Sequence, residues 1–260
     1  MEVRDPRVLS DRSNLIVELA PAPVVARVAT STADVRPGGA RGWLARDVAL
    51  AAHLAAAGAD VVRPARTPPA GPHMEDGLAM TFWEKVKHDA SSAPAPREAG
   101  EALGRLHQAL EDFPGDLPPF SALLDECDAV IERLDERTAA SERLGAPSVS
   151  ASPAMSPASA DRLRSAVEDI RSTTAAAGLP PRPLHGDASR SNLLACLALS
   201  TRQDAAEALD AYGRPLDEAL EPFMEARRLQ GALWTALLAE RHPELRERAE
   251  ERLRRWAPPG

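Results

Sequence analysis

The 260-residue sequence predicts an α+β protein in two lobes, a small N-lobe mixing strands with a helix and a larger, mainly helical C-lobe. Short β-rich runs at residues 14–19, 24–30 and 77–86 flank a single helix-like stretch. From about residue 95 onward, apolar residues recur at helical spacing instead. The expected boundary divides the chain into residues 1–86 and 87–260.

In chain order, NLIVEL and VVARVAT are separated by Ala-Pro-Ala-Pro, the mark of two strands with a short connection. Arg36 to Gly42 is rich in Pro and Gly and reads as a connecting loop. WLARDVALAAHLAAAG, residues 43–58, has helical composition and meets a stop signal at Gly58. GLAMTFWEKV, residues 77–86, is another short apolar strand. In residues 97–113, Leu103, Leu106, Leu110 and Phe113 form one stripe of an amphipathic helix. Residues 120–144 and 160–177 read the same way, with the Ser/Pro/Ala-rich tract 145–159 between them as a surface loop. Residues 203–256 are again helical, with Pro243 at the first turn of a new helix.

The bulk numbers exclude several classes. A formal charge of −8 argues against broad nucleic-acid or anionic-membrane binding. No apolar run reaches membrane-spanning length, and the charged start MEVRDPRVLSDRSN is unlike a signal peptide, so a cytoplasmic location is expected. Cys127 and Cys196 are too few for a disulfide framework and read as reduced thiols. His53, His73, His88, His107 and His242 show no metal-ligand spacing. Asp217, Glu218, Glu221 and Glu225 read as a solvated helix face with partners such as Arg228.

PRPLHGDASRSNLLACLALS, residues 181–200, carries the chemistry. His185, Asp187 and Asn192 fit the H-x-D-x-x-x-x-N spacing of a phosphoryl-transfer loop. Asp187 would accept or orient the proton of an entering hydroxyl, and Asn192 would offer a neutral oxygen to magnesium. His185 would orient the loop through hydrogen bonds, and Gly186 allows the tight turn between them. The plain alternative is a turn with Asn192 as a cap.

The stretch HGDASRSN resembles the aminoglycoside phosphotransferases and their choline-kinase-like relatives, which have a two-lobed, protein-kinase-like fold. SNLIVELAPAPVVARVAT is similar to the family's N-lobe hairpin, WLARDVALAAHLAAAGADVVRP to its first helix, and EALGRLHQAL to its early C-lobe helix. TFWEKV resembles the nucleotide hinge, which implies backbone contacts from Phe82, Trp83 and Glu84 to a purine base. Trp83 also reads as a core residue. The resemblance implies ATP or GTP, Mg2+, and a small-molecule substrate with a hydroxyl group. It also implies a cation on the strand beside the first helix. Both lysines, Lys85 and Lys87, lie in the hinge, so Arg27 is the candidate, with Asp47 as its acidic partner. The shorter Asp in place of Glu predicts a looser pair. The alternative is an exposed Arg27 with Asp47 paired along its own helix. The turn around Ala22 is expected to cover the phosphates, although Pro21 and Pro23 lack N–H donors.

The second half of such a centre, an Asp before Phe a short way downstream of Asn192, is missing from LLACLALSTRQDAAEALDAYG. ACLALSTR and ALDAYG resemble segments that the family places later, so NLL reads as joined to ACLALS across a deletion of roughly 25–30 residues that includes the metal-binding Asp. Asp204 reads as part of a helix's first turn, and Asp210 before Ala-Tyr-Gly as a superficial substitute. The expected function is therefore an ATP- or GTP-dependent small-molecule phosphotransferase impaired by that loss. The competing expectation is a catalytically dead nucleotide- or small-molecule-binding protein of the same fold. A third reading, an unrelated helical protein with a chance H-G-D, predicts no sheet in residues 14–86.

Overall fold

Five antiparallel strands form one sheet in the order β1-β2-β3-β5-β4. They are β1 (Val3–Asp11), β2 (Asn14–Pro21), β3 (Val24–Ala29), β4 (His73–Glu75) and β5 (Leu78–Glu84). The computed structural model describes residues 1–36, 39–87, 95–143, 156–179, 202–213 and 220–257. The sheet rules out the all-helical reading. Strands β2, β3 and β5 lie where the β-rich runs predict them. Strand β1 has no counterpart among those runs, because VRDPRVLSD is exposed over its first seven residues and shows no alternation. Its Pro6 and charges suit an outer strand, where a missing N–H and a charged flank discourage further pairing.

With this extra strand in place, the Ala22 turn follows the second strand rather than the first. That turn joins β2 to β3, closed by an Ala22 N–H to Leu19 carbonyl bond of 3.0 Å, and lies beside the end of β5, where Val24 pairs with Glu84. The turn at the opposite end of the sheet, beyond Arg27, is Arg12-Ser13 between β1 and β2. Thr30 Oγ1 donates to the Ser13 carbonyl at 3.1 Å, and Thr32 N–H reaches the same oxygen at 3.3 Å.

A short helix α1 (Ser31–Val35) precedes α2 (Gly39–Ala56). The second helix begins four residues before the predicted Trp43 start, so Gly39 and Gly42 belong to its first turns rather than to a loop. It ends as predicted: Gly58 has φ +80, its N–H bonds Ala55, and Ala59 N–H bonds Leu54. That pattern satisfies carbonyls that a helix end leaves open. Leu44 of α2 is fully buried against Ala29 and Ala79 of the sheet, with Trp43 packed beside it.

Helix α3 (Pro96–Glu111) buries Leu106 and Leu110 against Leu54 of α2, while Leu103 and Phe113 are only partly covered. The remaining helices are α4 (Ser121–Arg143), α5 (Pro157–Ala176), α6 (Arg202–Tyr212), α7 (Glu221–Leu238) and α8 (Arg246–Leu253). Pro243 opens a single 3-10 turn, Pro243–Leu245, that leads into α8. The main core joins α4, α5 and α7, with Leu124, Ile131, Leu163, Leu229 and Leu233 at most 1% exposed. Helix α6 packs on α3 so closely that a Cβ on Gly100 would lie 2.0 Å from the Ala208 carbonyl oxygen. Among the described residues no helix is long and apolar enough to cross a membrane.

Candidate functional site

Arg27 occupies the middle of β3, opposite Ile16 on β2 and Thr81 on β5, so these three share one face of the sheet. Helix α2 meets that face. Leu44 and Trp43 seat it on the sheet, and Asp47, one turn beyond Trp43, is thereby brought to Arg27. Arg27 Nη1 donates to Asp47 Oδ2 at 2.8 Å, and both side chains are 24% exposed. The shorter acid therefore makes full contact. Small residues at the seat, Ala29 and Ala79, let the helix approach closely enough to close the missing methylene.

The carboxyl of Asp47 is pushed above its ordinary range because burial outweighs the attraction of Arg27, Arg36 and Arg46. The guanidinium of Arg27 also lies over the Trp43 ring, with Cζ 4.6 Å from its centroid. A permanently charged, partly exposed group held through one nitrogen keeps donors available for an anion. The donor set at Arg27 thus fits a phosphate.

The hinge segment is more heavily engaged than its sequence suggests. Phe82 N–H bonds the Ala70 carbonyl at 2.9 Å, and Phe82 O accepts from Ala65 at 3.0 Å. Glu84 N–H bonds Arg63, and Lys85 N–H bonds Pro23, both at 2.9 Å. Trp83 is bridged to Pro64, and its Nε1–H donates to Thr81 Oγ1 at 2.9 Å. These N–H groups hold the sheet together and are not directed at a ligand. Trp83 instead presents a partly exposed ring on the face that carries Arg27. Lys85 makes a short ion pair with Glu18, which also lies on that face, opposite Val25. A cavity of about 290 Å³ is lined by Pro23, Val24, Ala65, Arg66, Thr67, Glu84 and Lys85, at the end of the sheet where Val24 and Glu84 pair.

His185, Asp187 and Asn192 lie outside the described residues, as does the junction after Asn192. Asp204 falls within the first turn of α6. Asp210 stands near the end of the same helix, 80% exposed and 3.7 Å from Arg97 of α3. The Asp-Ala-Tyr-Gly sequence there is a helix end: Gly213 has φ +83, its N–H bonds Leu209 and Asp210, and Tyr212 OH meets His107 Nδ1 at 2.8 Å. Among the described residues no group of three His, Cys, Asp or Glu side chains is placed to hold a metal ion.

The other side chains singled out in the sequence have structural partners where they are described. His53 and His73 each donate to a carbonyl, of Ala109 and Pro69. Arg228 pairs with Glu221 at 2.6 Å and Glu225 at 3.2 Å. His88, Asp217 and Glu218 lie outside the described residues. The Cys127 thiol, buried in the main core, is pushed up to about 12 by burial and its acidic neighbours. Two site neighbours had no sequence signal: Arg36, whose Cζ is 3.6 Å from the Trp43 ring, and Glu126, 3.1 Å from Arg36 Nε. Neither belongs to a local motif, and only the packing of α1 against α4 joins them.

Comparison with known proteins agrees with this architecture. A Plasmodium vivax ethanolamine kinase has a similar fold, with a TM-score of 0.53 at 13% sequence identity over 94% of this chain and 81% of that one. No curated protein matches the chain. The sequence model of the phosphotransferase enzyme family matches residues 7–202, well over half of the chain. The α+β protein therefore has a kinase-like fold and belongs to the phosphotransferase enzyme family.

Proposed function

We propose that the protein is a small-molecule O-phosphotransferase using ATP or GTP with Mg2+, impaired by the loss of its second metal-binding Asp. In this reading residues 1–86 form the nucleotide lobe and residues 87–260 the lobe that carries the catalytic loop. The Arg27–Asp47 pair is the observation that carries the reading: a strand cation, steadied by the next helix and still partly exposed. It serves as the phosphate anchor. Trp83 offers a ring face to the base on the same side of the sheet. Asp187 takes or orients the acceptor hydroxyl's proton, His185 holds the loop, and Asn192 contributes an oxygen to the metal. Magnesium, when bound, supplies neutralisation of charge on the transferring phosphoryl group.

The position of Asp210 favours the second reading, nucleotide binding without turnover. It sits exposed at a helix end facing Arg97, which supports the reading that Asp210 is engaged there and not at a metal. Both readings are tested by Mg2+-dependent ATP and GTP binding and hydrolysis by the purified chain. Arg27→Ala and Asp187→Ala serve as comparisons, and amino alcohols and aminoglycosides as acceptors. Slow transfer that disappears in Asp187→Ala supports the impaired phosphotransferase. Binding that depends on Arg27, with no transfer to any acceptor, supports the binding protein. Absence of Mg2+-nucleotide binding would remove both.

A further inference from the structure

Two guanidiniums meet one indole at the root of the site. Arg27 Cζ is 4.6 Å, and Arg36 Cζ 3.6 Å, from the Trp43 ring centroid. Each cation has its own acid, Asp47 for Arg27 at 2.8 Å and Glu126 for Arg36 at 3.1 Å. Glu126 is itself only 6% exposed, on α4. Its Oε1 accepts from Gln230 Nε2 and Trp234 Nε1 of α7, both at 2.6 Å. A continuous set of contacts thus runs from the helical core to Arg27.

The contact with Asp47 is a single hydrogen bond through Nη1. One such bond sets a distance but leaves the guanidinium plane free to swing, whereas a two-point fork would fix it. A stacked ring supplies the missing restraint, since a guanidinium plane settles on an aromatic face. The ring in turn is fixed by the shorter contact with Arg36, which Glu126 tethers to α4 and α7.

We propose that Trp43 and Arg36 are positioning residues for Arg27, holding its guanidinium in the orientation that receives phosphate and transmitting the position of α4 and α7 to it through Glu126. The inference rests on the reading of Arg27 as phosphate anchor. Glu126 also offsets the charge of Arg36 beside Arg27, because two cations over one ring repel.

The test uses the full chain and the variants Trp43→Leu, Trp43→Phe and Glu126→Gln, each also made in an Arg27→Ala background. The first readout needs no nucleotide: the Nε–H resonance of Arg27 and its exchange rate with water, followed by NMR. Trp43→Leu and Glu126→Gln are expected to shift that resonance and speed its exchange, and Trp43→Phe to preserve it. The second readout is Mg2+–ATP and Mg2+–GTP affinity. Trp43→Leu and Glu126→Gln should each weaken it roughly tenfold, the size of a lost cation–π restraint, and have no further effect once Arg27 is Ala. Trp43→Phe should stay within about twofold, because it keeps a ring face. An unmoved Arg27 resonance in folded Trp43→Leu and Glu126→Gln overturns the proposal, as does an equal affinity loss in the Arg27→Ala background. If Trp43→Leu does not fold, Glu126→Gln and Trp43→Phe decide by the same criteria. If the wild-type chain binds no nucleotide, the phosphate-anchor reading fails, and the resonance alone decides whether Trp43 and Glu126 position Arg27.

Discussion

Arg27 and Arg171 are both arginines held by acids, yet their surroundings differ. Arg171 joins α5 to α4, taking Asp125 at 2.9 Å and Asp128 at 2.8 Å, with Glu168 at 3.6 Å. Its cation faces more carboxylates than it can neutralise, and its donors are committed to the protein. Arg27 has one carboxylate, one hydrogen bond and an aromatic ring. The first arrangement staples two helices at the rim of a large apolar core. The second sits on a small seat of Ala29, Leu44 and Ala79 and leaves donors unspent. Committed and uncommitted guanidinium donors are therefore placed in different regions, the helical core and the sheet with its helix.

The largest effect that can break this division is in the helical core. Leu233→Ala, at a fully buried site on α7, should cost about 2–5 kcal/mol of unfolding free energy, from lost burial and the cavity left behind. Denaturant titration measures it, and a cost under about 1 kcal/mol would show that the core does not carry the fold. Gly100→Ala comes next. Its new Cβ would force α3 away from Ala208 of α6, for a loss of about 1–3 kcal/mol, visible as a lower thermal midpoint.

Within the sheet region, the pH dependence should split by residue. The carboxyl of Asp47 is raised in the fold, so between its ordinary 3.8 and the raised value the folded chain binds more protons than the unfolded one. Its contribution to stability therefore falls as pH rises through that window, and Asp47→Asn should flatten the decline. Glu18 is held below its ordinary 4.5, first by its hydrogen bond from Lys85, so its contribution is complete above that value and is lost as pH falls through the folded one. Glu18→Gln should remove this acid-side loss. Unfolding curves at a series of pH values separate the two slopes. The smallest effect sharpens the comparison: Arg171→Ala, at a partly exposed staple, should cost only about 0–1 kcal/mol and leave nucleotide affinity unchanged.

Much of the framework was readable from local pattern. The apolar runs of β2, β3 and β5 and the Gly58 stop of α2 follow from side-chain period and backbone freedom, which neighbours in sequence reveal. Strand β1 was not readable, because an edge strand exposed over most of its length shows no alternation. Nor was the early start of α2, since Gly39 and Gly42 are weak helix formers that tertiary seating overrides. Phe82 and Glu84 illustrate a further limit. Their place at the end of an apolar strand is visible, but the partners of their backbone N–H groups, Ala70 and Arg63, depend on how residues 63–70 fold back.

The sequence alone determined the order of β2, β3, α2 and β5 ahead of a helical C-lobe, the H-G-D-x-x-x-x-N spacing, and Arg27 with Asp47 as candidates, because each is written in residue types at fixed local offsets. Only the tertiary structure decided how Arg27 is held. Trp43, Arg36, Glu126, Gln230 and Trp234 come from α2, the end of α1, α4 and α7, and no periodicity links them. The same is true of Arg241, which meets Asp11 at the end of β1 at 2.7 Å across 230 residues of chain. Such contacts follow from the packing of whole elements, which is set by the summed burial of their apolar faces rather than by the polar residues that finally touch.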